Sequence, residues 1–169
     1  MWGGRSVPVL ERDWQRSERL PYRRTYDLKP GQAWATAEVS EDQFEAYALW
    51  QGNPVPVGAL IARDLMECGA SWACFTELWA GRLVIVDHEL KCIGRSGAEG
   101  SVLDRLISIV GRRGGLPDVV GQFPDGRIIL REAKCRSTKD RVSSSQQRFL
   151  AALWEAIPDE LDVAVVEWG

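Results

Sequence analysis

The strongest constraint on the fold is a series of four segments in the second half of the sequence. Residues 118–134 are two short apolar segments separated by Asp125-Gly126, and an Asp-Gly turn between apolar segments predicts a β-hairpin. The amphipathic segment 143–156 predicts a helix, and the apolar segment 162–168 predicts a strand inside a sheet. A hairpin, a helix and a further strand in this order predict an α/β fold.

The first half of the sequence carries weaker patterns. Residues 1–31 are polar, contain three prolines and show no sustained period, which predicts irregular structure or an extension that packs elsewhere. Periodicity and capping residues predict helices over 40–50, 57–68 and 98–110, and strands over 72–79 and 83–86. We therefore expect an N-terminal extension with a short helix over 1–55, and an α/β core over 56–169.

Composition excludes several classes of protein. His88 is the only histidine, so a mechanism or metal site that needs two histidines from one chain is excluded. The four cysteines form no Cys-x-x-Cys pair, so we expect free thiols rather than structural zinc. No apolar run approaches the roughly 20 residues that span a bilayer, and the first residues lack a secretory signal pattern. We expect no membrane partner and a cytoplasmic location.

The chemistry of the predicted hairpin points to a divalent cation. Alternation along a strand places Glu132 and Lys134 on one face, about 7 Å apart. The turn brings Asp118 back beside Glu132, and two converging carboxylates repel each other unless a cation lies between them. Oxygen ligands without histidine favour Mg²⁺ or Mn²⁺, and the carbonyl of Ala133 is a further candidate ligand.

The neighbouring polar residues suit the hydrolysis of a phosphate ester. Lys134 is placed to orient a water molecule and to stabilise charge on the phosphate, and a role as proton acceptor stays open. Gln146, at the start of the next helix, is placed to hold the same water or a phosphate oxygen. Taken singly, a Glu-x-Lys strand is most often a surface ion pair, so the prediction depends on the order of all these parts.

The charge distribution suits a phosphate ligand, although the net charge of the chain is −3. Between residues 112 and 148 there are nine basic and four acidic residues, a local surplus of five positive charges. Three of the basic residues lie in the predicted loop after the Glu-x-Lys strand, and we expect Arg136, Lys139 and Arg141 to contact DNA phosphates. The alternative is an ordinary solvated face.

These residues together resemble the PD-(D/E)xK nucleases, and within them the VRR-NUC branch typified by the Fanconi-associated nuclease. The resemblance covers about a third of the chain and lies in three motifs. They are Gly115-Leu116-Pro117-Asp118, Glu132-Ala133-Lys134, and Asp140-Arg141-Val142-Ser143 followed by Gln146. It implies a restriction-endonuclease-like α/β core, in which a small mixed sheet is flanked by helices.

The resemblance also implies a function. It implies a DNA endonuclease that uses Mg²⁺ or Mn²⁺ and cleaves flapped, branched or four-way DNA in repair, recombination or phage-related processes. A further carboxylate in this family comes from an upstream helix beginning with Glu-Gly, which is similar to Glu99-Gly100. The spacing departs from the family, because only 102–115 separates this pair from the Pro-Asp strand, and Glu67 is the next candidate.

Two alternatives from other classes remain open at this stage. One is a DNA-binding module with this fold but without activity, against which stands the presence of Asp118, Glu132 and Lys134. The other is a structural subunit of a larger repair or defence assembly. In that case the tryptophan-rich N-terminal half is the candidate surface for a partner protein or a second copy.

Overall fold

The structure is a computed structural model that describes residues 1–17, 47–50, 53–76, 83–86, 89–92, 98–111, 114–138 and 141–169. Three helices and nine strands are described. The helices are α1 (Val57–Glu67), α2 (Ala98–Val110) and α3 (Ser144–Ala156). The strands are β1 (Val9–Arg12), β2 (Tyr47–Trp50), β3 (Asn53–Pro56), β4 (Trp72–Phe75), β5 (Leu83–Val86), β6 (Glu89–Cys92), β7 (Val119–Gln122), β8 (Ile128–Cys135) and β9 (Leu161–Trp168).

Seven of the strands form one mixed sheet in the order β1-β9-β8-β7-β4-β5-β6, and β2 pairs with β3 in a separate ladder. β7 and β8 are the antiparallel hairpin that the Asp-Gly turn predicts. α3 then carries the chain to β9, which runs parallel to β8, and β1 runs parallel to β9 on its other side. The predicted hairpin, helix and strand are confirmed, and the protein is a mixed α/β protein.

Helices cover both faces of the sheet. β8 is therefore buried on both sides, and its successive apolar residues belong to different cores. Leu130 packs in one core with residues of α2 and α3, such as Leu106 and Phe149. Ile129 packs in a second core with residues of α1, such as Leu60. By the same alternation, Glu132 and Lys134 share the face of Leu130, whereas Arg131 and Ala133 share the face of Ile129.

The first 17 residues belong to this sheet and core. Trp2 is fully buried among the α2 and α3 side chains, and its indole N–H donates to the carbonyl of Gln146 at 3.1 Å. β1 extends the parallel part of the sheet. The remainder of the predicted irregular segment, residues 18–31, lies outside the described residues.

The helix predicted over 40–50 is wrong for residues 47–50, which form strand β2. β2 pairs antiparallel with β3, and the Leu49 N–H donates to the Gln15 carbonyl at 2.7 Å. These partners come from both sides of the segment, so a local helical spacing could not reveal them. The first part of that prediction, 40–46, lies outside the described residues.

The helices α1, α2 and α3 have 11, 13 and 13 residues. Within the ranges described above, none of them is long and apolar enough to cross a membrane.

Candidate active site

Glu132 is a buried carboxylate near the end of β8. Its side chain is only 1% exposed. Its Oε1 atom accepts a hydrogen bond from the Gln146 amide at 2.5 Å and lies 2.7 Å from the Lys134 ammonium. Its Oε2 atom has no hydrogen-bond partner among the residues that the structure describes. One oxygen of this carboxylate is therefore held twice, whereas the other is an unused acceptor.

The electrostatics of Glu132 are set by two opposing effects. Burial raises the pKa of the Glu132 carboxyl, because removal from water penalises the charged form. The charge and the hydrogen bond of Lys134, the hydrogen bond of Gln146 and a backbone hydrogen bond of Asp118 act in the opposite direction. The net direction is upward, so the ionised carboxylate lacks full compensation from its own neighbours.

Asp118 lies across the hairpin from Glu132, as the turn predicts. It directly precedes β7, and its Oδ2 atom accepts a hydrogen bond from the Ala133 N–H at 2.7 Å. Its own carbonyl accepts from the Thr76 N–H at 2.8 Å, and Thr76 also donates its hydroxyl to the Pro117 carbonyl. The Pro-Asp backbone is thus fixed between β4 and β8, and the Asp118 side chain is held at the Glu-x-Lys segment.

The arrangement of Ala133 agrees with its predicted role as a backbone ligand. In a strand the N–H and C=O groups of one residue point to the same neighbour. Because the Ala133 N–H reaches Asp118, the Ala133 carbonyl faces the same side of β8. Asp118, Glu132 and the Ala133 carbonyl therefore belong to the same end of the hairpin.

The start of α3 is fitted closely against the Pro-Asp segment. Gly115 has a φ of +94°, and a side chain there would collide with the Ser145 carbonyl. Two features therefore require glycine at this position of the Gly-x-Pro-Asp motif: the left-handed backbone conformation and the close approach to α3.

Gln146 is held by the cap of its own helix. Ser143 is the N-cap of α3, and its side chain accepts from the Gln146 N–H while the Gln146 side chain accepts from the Ser143 N–H. The Gln146 amide nitrogen is thereby turned toward Glu132. The N-terminal segment adds a second support, because Gly3 donates to the Gln147 side chain at 2.6 Å and Gln147 donates to the Met1 carbonyl at 3.1 Å.

The donors at this site fit a hard divalent cation. The unused, buried Oε2 atom of Glu132 needs a positive partner, and Asp118 supplies a second carboxylate beside it. Counted on these three side chains alone, two carboxylates and one ammonium sum to a charge of −1. Oxygen-only donors suit Mg²⁺ or Mn²⁺. Among the described residues, no cluster of three or more His, Cys, Asp or Glu side chains could hold a metal ion. The third carboxylate that the resemblance implies is therefore not found beside Asp118 and Glu132 in this part of the chain.

Glu99 and Glu67 are the two candidates for that third carboxylate. Glu99 is the second residue of α2, and its side chain lies outside the described residues. Glu67 is 56% exposed and pairs with Arg63 on α1, which covers the opposite face of the sheet. The chain after α1 reaches the far end of the hairpin, where the Ser71 N–H meets the Gln122 carbonyl. Glu67 is therefore not part of this site.

The basic residues that the sequence groups together are dispersed in the structure. Arg131 is buried on the α1 face and pairs with Asp162, and Arg127 pairs with Asp125. Arg136 donates to the Gly169 carbonyl at 2.8 Å and lies 3.2 Å from Asp13. Arg141 is exposed near Lys134, and Lys139 lies outside the described residues. Among the described residues, Arg127, Arg131 and Arg136 are thus engaged by acidic partners of the same chain.

Sequence reasoning missed two residues that shape the site, Thr76 and Trp2. Thr76 fixes the Pro-Asp backbone, and Trp2 supports the first turn of α3. Neither contact has a local signal, since they join positions 41 and 144 residues apart. No family model matches the chain and no curated protein matches it, so the case for its function depends on the geometry around Glu132.

Proposed function

We propose that the chain is a Mg²⁺- or Mn²⁺-dependent DNA endonuclease of the PD-(D/E)xK type, related to the VRR-NUC branch. The observation that carries the proposal is the buried Glu132 carboxylate. Lys134 and Gln146 hold one of its oxygens, its other oxygen has no hydrogen-bond partner among the described residues, and Asp118 lies across the hairpin. A purely structural ion pair requires neither the second carboxylate nor the unused oxygen.

The chain supplies each function that phosphodiester hydrolysis needs. Asp118, Glu132 and the Ala133 carbonyl would hold the cation, which when bound polarises the scissile phosphate and lowers the pKa of water. The ammonium of Lys134 has three donors and stands beside the carboxylate pair, where it can orient the attacking water and stabilise charge on the phosphate. Gln146 keeps Glu132 in one orientation and so preorganises the site.

The substrate class is DNA with a branch, flap or four-way junction, in repair, recombination or phage-related processes. Support for DNA comes from Arg141, an exposed cation close to Lys134, and from the sequence resemblance described above. The alternative is a silent DNA-binding or structural subunit, and the buried, incompletely paired Glu132 speaks against it. Burying an unsatisfied charged group is costly, so a chain without activity would gain stability by losing it.

One experiment tests the proposal. Purified protein is incubated with single-stranded, duplex, flapped and four-way DNA, with Mn²⁺ and with a chelator. We expect cleavage only with the metal, and strongest for the branched substrates. Asp118→Asn is the matched control, since it keeps the size of the side chain and removes its charge. Cleavage by this variant at the wild-type rate, or binding of DNA without cleavage by the wild type, would refute the assignment.

A further inference from the structure

A cavity of about 340 Å³ lies on the other side of Lys134 from the carboxylate pair. Its lining includes three apolar residues, Val9, Val142 and Val165, and three charged residues, Lys134, Arg141 and Glu167. The sheet order β1-β9-β8-β7 explains the arrangement, because Val9 and Val165 are paired residues of β1 and β9 whereas Asp118 precedes β7. Lys134 on β8 therefore separates this cavity, which we name the Lys134 cavity, from the proposed cleavage site.

The apolar side of the Lys134 cavity is exposed to solvent. Among the described residues, the large apolar side chains that are exposed are Met1, at 86%, and Val9, at 53%, and both line this cavity. Contiguous exposed apolar surface next to charged groups is typical of a ligand site. The volume is at the small end of the range of about 300 to 1,000 Å³ that small-molecule sites occupy.

The combination of apolar, acidic and basic side chains in the lining favours one kind of ligand. A phosphate alone would be repelled by Glu167 and would leave the valine side chains without a partner. A nucleobase has apolar faces for the valines and N–H donors at its edge for the Glu167 carboxylate. The phosphates on either side of it would meet Lys134 and Arg141. A paired and stacked base cannot enter a cavity of this size without leaving the helix.

We propose that the Lys134 cavity binds the base of one unpaired nucleotide adjacent to the scissile phosphate. The inference rests on the proposed nuclease function and specifies its substrate: cleavage is directed to positions where a nucleotide next to the cut is unpaired. Selection for flaps and branches then comes from this pocket beside the site, rather than from recognition of the junction as a whole.

Val9→Phe tests the proposal, because it places a ring at the rim of the cavity and changes none of the residues assigned to the cation. Ser71→Phe is the control, since Ser71 is exposed and uncharged, lies at the far end of the hairpin, and is not part of the lining. Both variants are first checked by thermal unfolding. Binding is measured in EDTA with a single-stranded oligonucleotide that contains the fluorescent base 2-aminopurine.

We expect Val9→Phe to weaken binding by about fivefold or more, the lower bound for loss of one base contact, and Ser71→Phe to leave it unchanged. With Mn²⁺, Val9→Phe should also slow cleavage next to unpaired nucleotides. If the wild type does not change the fluorescence, or if Val9→Phe binds and cleaves like the wild type, the cavity proposal is wrong even though the chain cleaves DNA. Cavity-dependent binding with no cleavage of any DNA would instead refute the nuclease and retain the cavity.

Discussion

Two buried charged sites occupy consecutive positions of β8 and face opposite sides of the sheet. On the α1 face, Arg131 is 6% exposed and lies 2.6 Å from the Asp162 carboxylate, and it also donates to the Asp162 carbonyl at 2.7 Å. On the α2 and α3 face, Glu132 is 1% exposed and shares a single oxygen between Lys134 and Gln146. The same strand thus buries a cation on one side and an anion on the other.

The two sites differ in their balance of charge. Arg131 and Asp162 neutralise each other, and the orphan atom there is a donor, Nε, on a cation that is already paired. At the other site the side chains of Asp118, Glu132 and Lys134 sum to a charge of −1, and Glu132 Oε2 is an acceptor without a hydrogen-bond partner among the described residues. A balanced pair joins two strands, whereas an unbalanced one attracts a further cation. Burial alone therefore does not distinguish a structural charge from a functional one.

The largest expected effect is on activity at the unbalanced site. Glu132→Gln keeps an oxygen for Lys134 and Gln146 but removes the charge that binds the cation, so we expect cleavage to fall by about 10³-fold or more. The free energy of unfolding without metal should change by less than about 1 kcal/mol, since the hydrogen bonds are retained. Cleavage assays and urea unfolding measure the two quantities. Cleavage by Glu132→Gln at the wild-type rate would show that the Glu132 charge does not bind the cation, and the two sites would then not differ in function.

The next effect concerns Lys134. Lys134→Met keeps the aliphatic stem and removes the ammonium, so we expect cleavage to slow by about 10²- to 10⁴-fold. Affinity for Mn²⁺ should be equal or higher, because a repelling charge is lost. Calorimetry with Mn²⁺ measures this affinity. A large loss of metal binding would mean that Lys134 organises the site instead of acting on water and phosphate.

The balanced site should respond in the opposite way. Arg131→Ala removes the closer of two arginines at Asp162, since Arg127 Nη1 lies 3.5 Å from the same carboxylate. We expect a loss of about 2–4 kcal/mol in the free energy of unfolding, below the full value for a buried pair because Asp162 is 29% exposed and keeps its contact with Arg127. Cleavage per folded molecule should not change. Arg105→Ala is the control, because its pair with Glu160 is exposed and should contribute less than about 1 kcal/mol. Equal losses in both variants would show that Arg131 is no more structural than a surface ion pair.

The sequence predicted the arrangement of the Glu132 site, which depends on side-chain alternation in the strands and on one turn. The side-chain period of 2 and the Asp-Gly turn are local, and they placed Asp118, Glu132 and Lys134 on one face. The partner of Arg131 was not predictable, because the parallel pairing of β8 with β9 sets Arg131 near Asp162, and no local pattern specifies that register. The partners of Arg127 and Arg136 within the chain were not predictable for the same reason.

β1, β2, β3 and β6 were not predicted, because their partners are distant in sequence or because the short segment before them carries no strong turn signal. β1 adds to β9, which lies more than 140 residues further along the chain. β2 contains a spacing that also suits a helix, and its pairing with β3 and with Gln15 decides the outcome. Local propensity is outweighed here by long-range hydrogen bonds.

The dependence of stability on pH should separate the sites further. Burial raises the folded-state pKa of Glu132 above its ordinary value of 4.5, so the folded protein binds more protons than the unfolded chain between these two values. We therefore expect the wild type to lose stability relative to Glu132→Gln as pH rises through that window, and Mn²⁺ to reverse the loss above it. Urea unfolding of both proteins from about pH 4 to pH 8 measures the difference. A difference that does not change with pH would show that the Glu132 carboxylate is fully compensated.

The smallest expected effect extends the comparison to the surface, where Arg141 is exposed and Arg136 is engaged by its own chain. Arg136 contacts the Gly169 carbonyl and Asp13, so it is not available as a phosphate contact without losing them. Arg141→Ala should make the plot of log affinity against log salt shallower by about 0.9 for duplex DNA, because one counterion fewer is released. Arg136→Ala should leave the slope unchanged, and Lys139→Ala combined with Arg141→Ala should bring the change to about 1.8. Titrations at several salt concentrations measure the slope for each variant. If Arg136→Ala changed it and Arg141→Ala did not, the DNA would lie over the ends of β1 and β9, away from Lys134.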